Sequence, residues 1–213
     1  MKVNQLLEYI KDANRDRKLV LFRDKKELHF LHQWIEKKQN IHENDDYNNL
    51  TVSETIERCT LCNDTKKKRF GYGNGQNGVM IILNTPGIID EIEKKSLEVE
   101  SVDMLKKMLK SIDLDLKDSY TTNLIKCKVN NLLTKPSLMF KNCESILEKE
   151  IISFMPQVII VMGDRLPLRN ITNKYTKISW SHIEHPMTLI KLPEQKREAW
   201  ETLKQVKSKL QNS

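Results

Sequence analysis

Four cysteines are the side chains that type and spacing mark most clearly for chemistry. Cys59 and Cys62 form a C-x-x-C pair, and Cys127 and Cys143 follow singly. Sixty-four residues separate Cys62 from Cys127, and fifteen separate Cys127 from Cys143. A close pair joined by two remote thiols can gather four thiolates around one metal centre, clasping three distant segments into one domain. Zinc ribbons usually pair two C-x-x-C knuckles, so single third and fourth thiols suit zinc less well. Cysteine tetrads also hold iron–sulfur clusters, where uneven spacing is common. The plain alternative is that Cys127 ends a buried strand and Cys143 rides on a helix, both as small core residues.

A second concentration of unusual chemistry lies between the first pair and the third cysteine. Five of the six glycines fall at Gly71, Gly73, Gly75, Gly78 and Gly87. The first four make a hairpin-like approach to an apolar run, and the last closes Leu83-Asn84-Thr85-Pro86-Gly87. In an open α/β sheet, ligands bind beyond the carboxyl ends of the strands. Asn84, Asn123 and His185 each sit at such an end, where three strands could bring them to one pocket. Taken singly, each also suits a turn or a cap. The basic run Lys66-Lys67-Lys68-Arg69 follows the cysteine pair, either as a solvated loop or as a track for phosphates. Lys191, Lys196 and Arg197 extend that track, while Lys126 and Lys128 flank a cysteine and tune local charge.

The elements that must hold these residues alternate. Buried strands are expected at 79–83, 119–123 and 158–162, and a fourth at about 176–183. Helical patterns at about 101–112 and 141–153 separate them. That order predicts an α/β fold of three layers, a mostly parallel sheet covered on both faces. Thr51 and Glu54 have capping-box spacing, which starts a short helix ending at Cys59. A last helix opens at Pro193 and runs to about Leu210, with Trp200, Leu203 and Val206 facing the core. Residues 1–50 form a helical N-terminal extension and linker, and 51–213 the main domain.

At 213 residues the chain can bury a sizeable core. Thirty-six Lys and Arg against 29 acids give a net charge of +7, which suits a polyanionic partner or simple solubility. No run approaches the roughly 20 apolar residues that span a bilayer, so no membrane is expected. The first twelve residues turn polar too early for a secretory signal. An intracellular, reducing, cytoplasmic setting follows, where clustered thiols are ligands rather than disulfides.

From about Thr51 onward the chain resembles the iron–sulfur (fourth-family, thermophile-type) uracil-DNA glycosylases. The resemblance rests on motifs in order: Cys59-x-x-Cys62, then the glycine-rich stretch with Pro86-Gly87 after a strand. Thr122-Asn123-Leu124-Ile125-Lys126-Cys127 follows, then Cys143 before the helix leading to Pro156-Gln157-Val158-Ile159. His185-Pro186 precedes Leu192-Pro193-Glu194-x-Lys196-Arg197-x-x-Trp200 near the end.

The resemblance implies a four-stranded parallel sheet and a [4Fe–4S] cluster at Cys59, Cys62, Cys127 and Cys143. It implies DNA as partner, bearing uracil or single-stranded, with the everted base held in a pocket. Asn123 matches the residue that reads uracil, since an amide can both donate and accept along a pyrimidine edge. His185 matches the group beside the departing base, where a donor stabilises developing negative charge. Thr85, Pro86 and Gly87 shape the loop near sugar and phosphate, and Asp90 is the carboxylate that would orient water.

Three positions depart from the family pattern. Asn84 stands where the family has an acid, Leu97 where it has the stacking Phe, and Met187 where it has Ser. The activity that the resemblance implies is hydrolysis of the N-glycosidic bond of uracil or another deaminated base. The alternative is a catalytically weakened or inactive DNA-binding or complex-forming relative, with the extension docking a protein partner.

Overall fold

The computed structural model describes residues 50–62, 65–84, 91–129, 136–164 and 168–211. Residues Thr51–Ser213 make one compact unit. The expected helical extension and linker at 1–50 lie outside the described residues, apart from Leu50.

The described residues open with helix α1 (Val52–Arg58), then β1 (Thr65–Lys68) and β2 (Val79–Asn84). Helix α2 (Glu91–Lys110), β3 (Tyr120–Asn123) and β4 (Cys127–Val129) follow, then α3 (Pro136–Phe154) and β5 (Val158–Gly163). The remainder is α4 (Arg169–Lys174), β6 (Ser179–Ile183), α5 (Pro186–Lys191), a 3-10 turn at Pro193–Gln195 and α6 (Lys196–Gln211).

Four strands form a sheet in the order β3-β2-β5-β6, and every neighbouring pair is parallel. Strand side chains alternate between faces, and here both faces are apolar. Val79 and Ile81 of β2 with Val158, Ile160 and Met162 of β5 pack on one side against α2, α5 and α6. Met80, Ile82, Ile159 and Val161 pack on the other against α3 and α4. Near-continuous apolar runs therefore read as central strands of a covered parallel sheet, and the fold is the three-layer α/β arrangement expected.

Two expectations need correction. Trp200 does not face the core: it is 41% exposed, whereas Leu203 and Val206 are buried. The buried stripe of α6 is Ala199, Leu203 and Val206, at helical spacing, and Trp200 lies one residue off it with the Lys204 ammonium 5.8 Å from its ring. The basic run is also not a loop. Lys66, Lys67 and Lys68 lie in β1, which pairs antiparallel with β4 in a separate two-stranded ribbon.

Candidate functional site

The cysteines are assembled by local structures that the sequence specifies. Thr51 caps α1, its hydroxyl accepting from Glu54 N at 3.3 Å while its own N–H donates to the Glu54 carboxylate at 2.7 Å. This box fixes where α1 begins, and the helix then ends on Cys59. The ribbon sets Lys68 opposite Cys127. The Lys68 ammonium donates to the Cys59 carbonyl and lies 3.8 Å from Cys127 Sγ, which ties strand to helix end. On α3, the Asn142 amide donates to the Leu61 carbonyl at 3.3 Å and to Cys62 Sγ at 3.5 Å. The Lys126 N–H donates to Cys143 Sγ at 3.4 Å. Three remote segments thus meet at the thiols.

Cys127 and Cys143 are buried, Cys59 and Cys62 half-buried, and none is in a disulfide. Burial pushes the Cys62 thiol up and that of Cys143 up to about 12. Cys62 also senses Cys127 and Cys59, and Cys143 senses Cys127 and Cys62, so the four share one neighbourhood. Yet among the described residues no three His, Cys, Asp or Glu side chains converge on a single ion. Tetrahedral zinc would need thiolates about 3.8 Å from one another. The all-thiol donor set, with N–H groups aimed at three sulfurs, is the chemistry of iron–sulfur ligation. Coordination would remove the protons that burial otherwise retains.

Behind the thiols lies a polar network that sequence reasoning missed. Lys126 and Glu150 are fully buried and form an ion pair at 2.5 Å. Thr122 and Tyr120 donate to Glu150 Oε1 at 2.8 and 2.9 Å, and the Lys126 ammonium donates to Thr122 Oγ1 at 2.6 Å. Burial pulls Lys126 below the usual lysine range, and the Glu150 charge opposes that. The sequence carried one hint, a lysine inside an otherwise buried stretch. Nothing in the helical pattern singled out Glu150.

At the carboxyl edge of the sheet, Asn123 ends β3 and Asn84 ends β2, on adjacent strands with Leu83 in register with Asn123. The Asn84 amide donates to the Asp164 carbonyl at 2.7 Å, locking the ends of β2 and β5 together. The half-buried Asn123 leads into Leu124, whose N–H donates to the Leu83 carbonyl at 2.9 Å. His185 lies two residues beyond β6, on the opposite edge from β3. Three strand spacings separate those edges, about 14 Å. The strand order therefore makes Asn84 and Asn123 neighbours, with His185 following the strand at the far edge.

His185 is 4% exposed, and it caps α5 by accepting the Met187 N–H at Nδ1, 3.2 Å away. Burial lowers its pKa to about 4, so the ring is neutral at pH 7. With Nδ1 accepting, the single ring proton sits on Nε2. Met187, where a serine was expected by resemblance, is buried beside it.

Other expected residues distribute as follows. Thr85, Pro86, Gly87 and Asp90 lie outside the described residues. Leu97 is half-buried on α2. Lys67 and Lys191 are exposed, Arg69 is half-buried, and Lys68 is turned onto the thiols. Lys66 lies in β1. A cavity of about 420 Å³ opens between β5, β6 and α4, lined in part by Val161, Arg169, Trp180 and His182. None of Asn84, Asn123 or His185 lines it, so the polar strand ends rather than this cavity define the candidate site.

The structure is a doubly covered parallel α/β sheet with amides and an imidazole after its strand ends and four neighbouring thiols. Residues 70–204, well over half of the chain, match the family model of the Uracil DNA glycosylase superfamily, and the chain belongs to that superfamily. It is similar to a Type-4 uracil-DNA glycosylase of Saccharolobus solfataricus, 27% identical over 116 residues, 53% of this chain and 54% of the relative. It is also similar to a Type-4 uracil-DNA glycosylase of Archaeoglobus fulgidus, 25% identical over 115 residues, 53% of this chain and 58% of the relative. The matches span little more than half the length of these curated relatives. Among the described residues no helix is long and apolar enough to cross a membrane.

Proposed function

We propose that this protein removes uracil from DNA by hydrolysing the N-glycosidic bond, with a [4Fe–4S] cluster at Cys59, Cys62, Cys127 and Cys143. The observation that carries the reading is the state of His185: neutral, buried, with its proton on Nε2 and its lone pair occupied by the Met187 amide. A fixed neutral N–H donor suits a base that leaves as an anion, because it stabilises charge that develops in the transition state. Asn123 would select the base through its amide, which can pair with both a carbonyl and an N–H of uracil. Thr85, Pro86 and Gly87 would border the sugar and Leu97 would supply apolar contact. Asp90 would orient the attacking water and take its proton as the water oxygen bonds to the sugar carbon and the base departs with the bonding electrons as an anion. When bound, the cluster would cross-link the end of α1, β4 and α3 through Cys59, Cys62, Cys127 and Cys143. Lys66, Lys67, Arg69 and Lys191 would meet phosphates, with affinity falling as salt rises. The setting this reading implies is intracellular.

The test is release of uracil from single- and double-stranded oligonucleotides, scored as alkali-sensitive abasic sites. Asn123→Ala, His185→Ala and Asp90→Ala should each lower the rate, His185→Ala by about 10²–10³-fold. Wild-type protein that releases no uracil, hypoxanthine or xanthine would exclude it.

One observation favours a second reading, a DNA-binding relative with weakened catalysis. Asn84 stands where the resembled family has an acid, and its amide is committed to the Asp164 carbonyl. DNA binding with steep salt dependence but no base release would distinguish this reading. Residues 1–50 would then be the natural place for a protein partner to dock.

A further inference from the structure

We propose that Lys67–Tyr72 is a stacking platform for unpaired DNA bases flanking the one to be excised, and that it confers a preference for single strands. This deepens the glycosylase reading and rests on it. Phe70 and Tyr72 are 47% and 60% exposed. With Trp200 they are the exposed aromatic rings among the described residues, and two of the three stand within three positions.

Their exposure is imposed by the backbone. The Arg69 N–H donates to the Lys126 carbonyl at 2.8 Å, and Tyr72 exchanges hydrogen bonds with Thr121 at 2.8 and 2.7 Å. These anchors run the segment antiparallel along β3 and bracket Phe70 against the stretch that includes Asn123. Between the rings, Gly71 is pressed so closely onto β3 that an added Cβ would lie 2.1 Å from the Tyr120 hydroxyl. At Gly73 it would lie 1.8 Å from the Ser119 carbonyl, and φ there is +92°. Alternate residues of an extended segment point opposite ways. If the glycine side faces the sheet, the aromatic side must face solvent.

Two rings held rigidly outward, behind an exposed Lys67 and beside Arg69, match what binds single strands. Every base offers a π-face, aromatic rings stack on successive bases, and cations follow the phosphates. A duplex keeps its bases stacked on one another, so the rings gain little from it. The segment adjoins Asn123 at the strand's end, so the bases it would take are those next to the everted one.

The probe is a fluorescein-labelled, uracil-free oligothymidylate and a uracil-free duplex of equal length, with anisotropy read at fixed salt on the full chain. Wild type should bind the single strand more tightly than the duplex. Phe70→Ala and Tyr72→Ala should each weaken single-strand binding by roughly tenfold, with little change for duplex. Phe70→Leu and Tyr72→Leu, which keep apolar bulk, should weaken it as well, and Phe70→Trp should restore it. Equal binding of both probes, or single-strand binding unchanged by either pair of substitutions, would overturn the proposal. Because neither probe contains uracil, the outcome does not depend on base release. Preserved single-strand preference with no excision would remove the glycosylase reading alone.

Discussion

Lys126 Nζ and Glu150 Oε2 meet at 2.5 Å in a place where neither side chain reaches solvent. Tyr120 and Thr122 complete the ring of partners, so the charges are paired and the remaining lone pairs used. Breaking such a pair strands one charge in the interior. Glu150→Ala should cost about 3–5 kcal/mol in urea unfolding. By contrast, loss of the exposed Lys106–Asp103 pair should cost well under 1 kcal/mol. A Glu150→Ala variant as stable as wild type would mean that Lys126 finds another partner or water.

The His185 imidazole predicts an acid limb to stability. Its folded pKa of about 4 is below the unfolded value near 6.5, so below pH 6.5 the unfolded chain binds the proton more readily. Stability should be full above pH 6.5 and fall as pH drops toward 4, by about 3 kcal/mol in all. Urea midpoints at pH 7.5 and pH 4.5 measure it. His185→Gln should flatten that part of the profile. A wild-type profile flat across this window would mean that His185 is accessible to protons in the fold.

The thiol centre predicts coupled loss of metal and stability. Protein purified without oxygen should carry iron and absorb visible light. Cys143→Ser should lower the iron content and the melting temperature together. Iron removal by a chelator under reducing conditions should reproduce the fall in melting temperature. Colourless, iron-free anaerobic protein that melts like the treated sample would reject the cluster.

Asn84 predicts a cost for restoring an acid. Its amide donates to the Asp164 carbonyl, and a carboxylate there would set two acceptors face to face. Asn84→Asp should therefore lose about 1–3 kcal/mol of stability at pH 7, recovered in part as the acid is protonated. Urea unfolding at pH 7.5 and 5 would check the loss and its pH dependence, with His185→Gln in the same background to remove the imidazole's contribution.

The parts legible in sequence were those with local or periodic signals. The apolar runs of β2 and β5 gave the buried sheet, since both faces are covered and neither needs polar alternation. Thr51 and Glu54 gave the start of α1 because a capping box is a three-residue spacing. The strand ends followed from the strands, which set Asn84 and Asn123 at adjacent carboxyl ends and His185 just after the carboxyl end of β6. What depended on pairing between remote residues was not legible. The ribbon joins Thr65–Lys68 to Cys127–Val129, and a strand of charged residues looks like a loop until its partner is known. Glu150 looked like any acid on a helix, since only the fold brings Lys126 to it. Trp200 misled because a large ring on an amphipathic helix suggests burial, while the stripe falls one position away.

Only Leu124, Ile125 and Lys126 separate Asn123 from Cys127, and two of the three are locked into the interior. A tether that short and that stiff leaves no slack between sulfur and amide. Any shift of Cys127 therefore reaches Asn123 through four peptide links, and the backbone there has little room to absorb it.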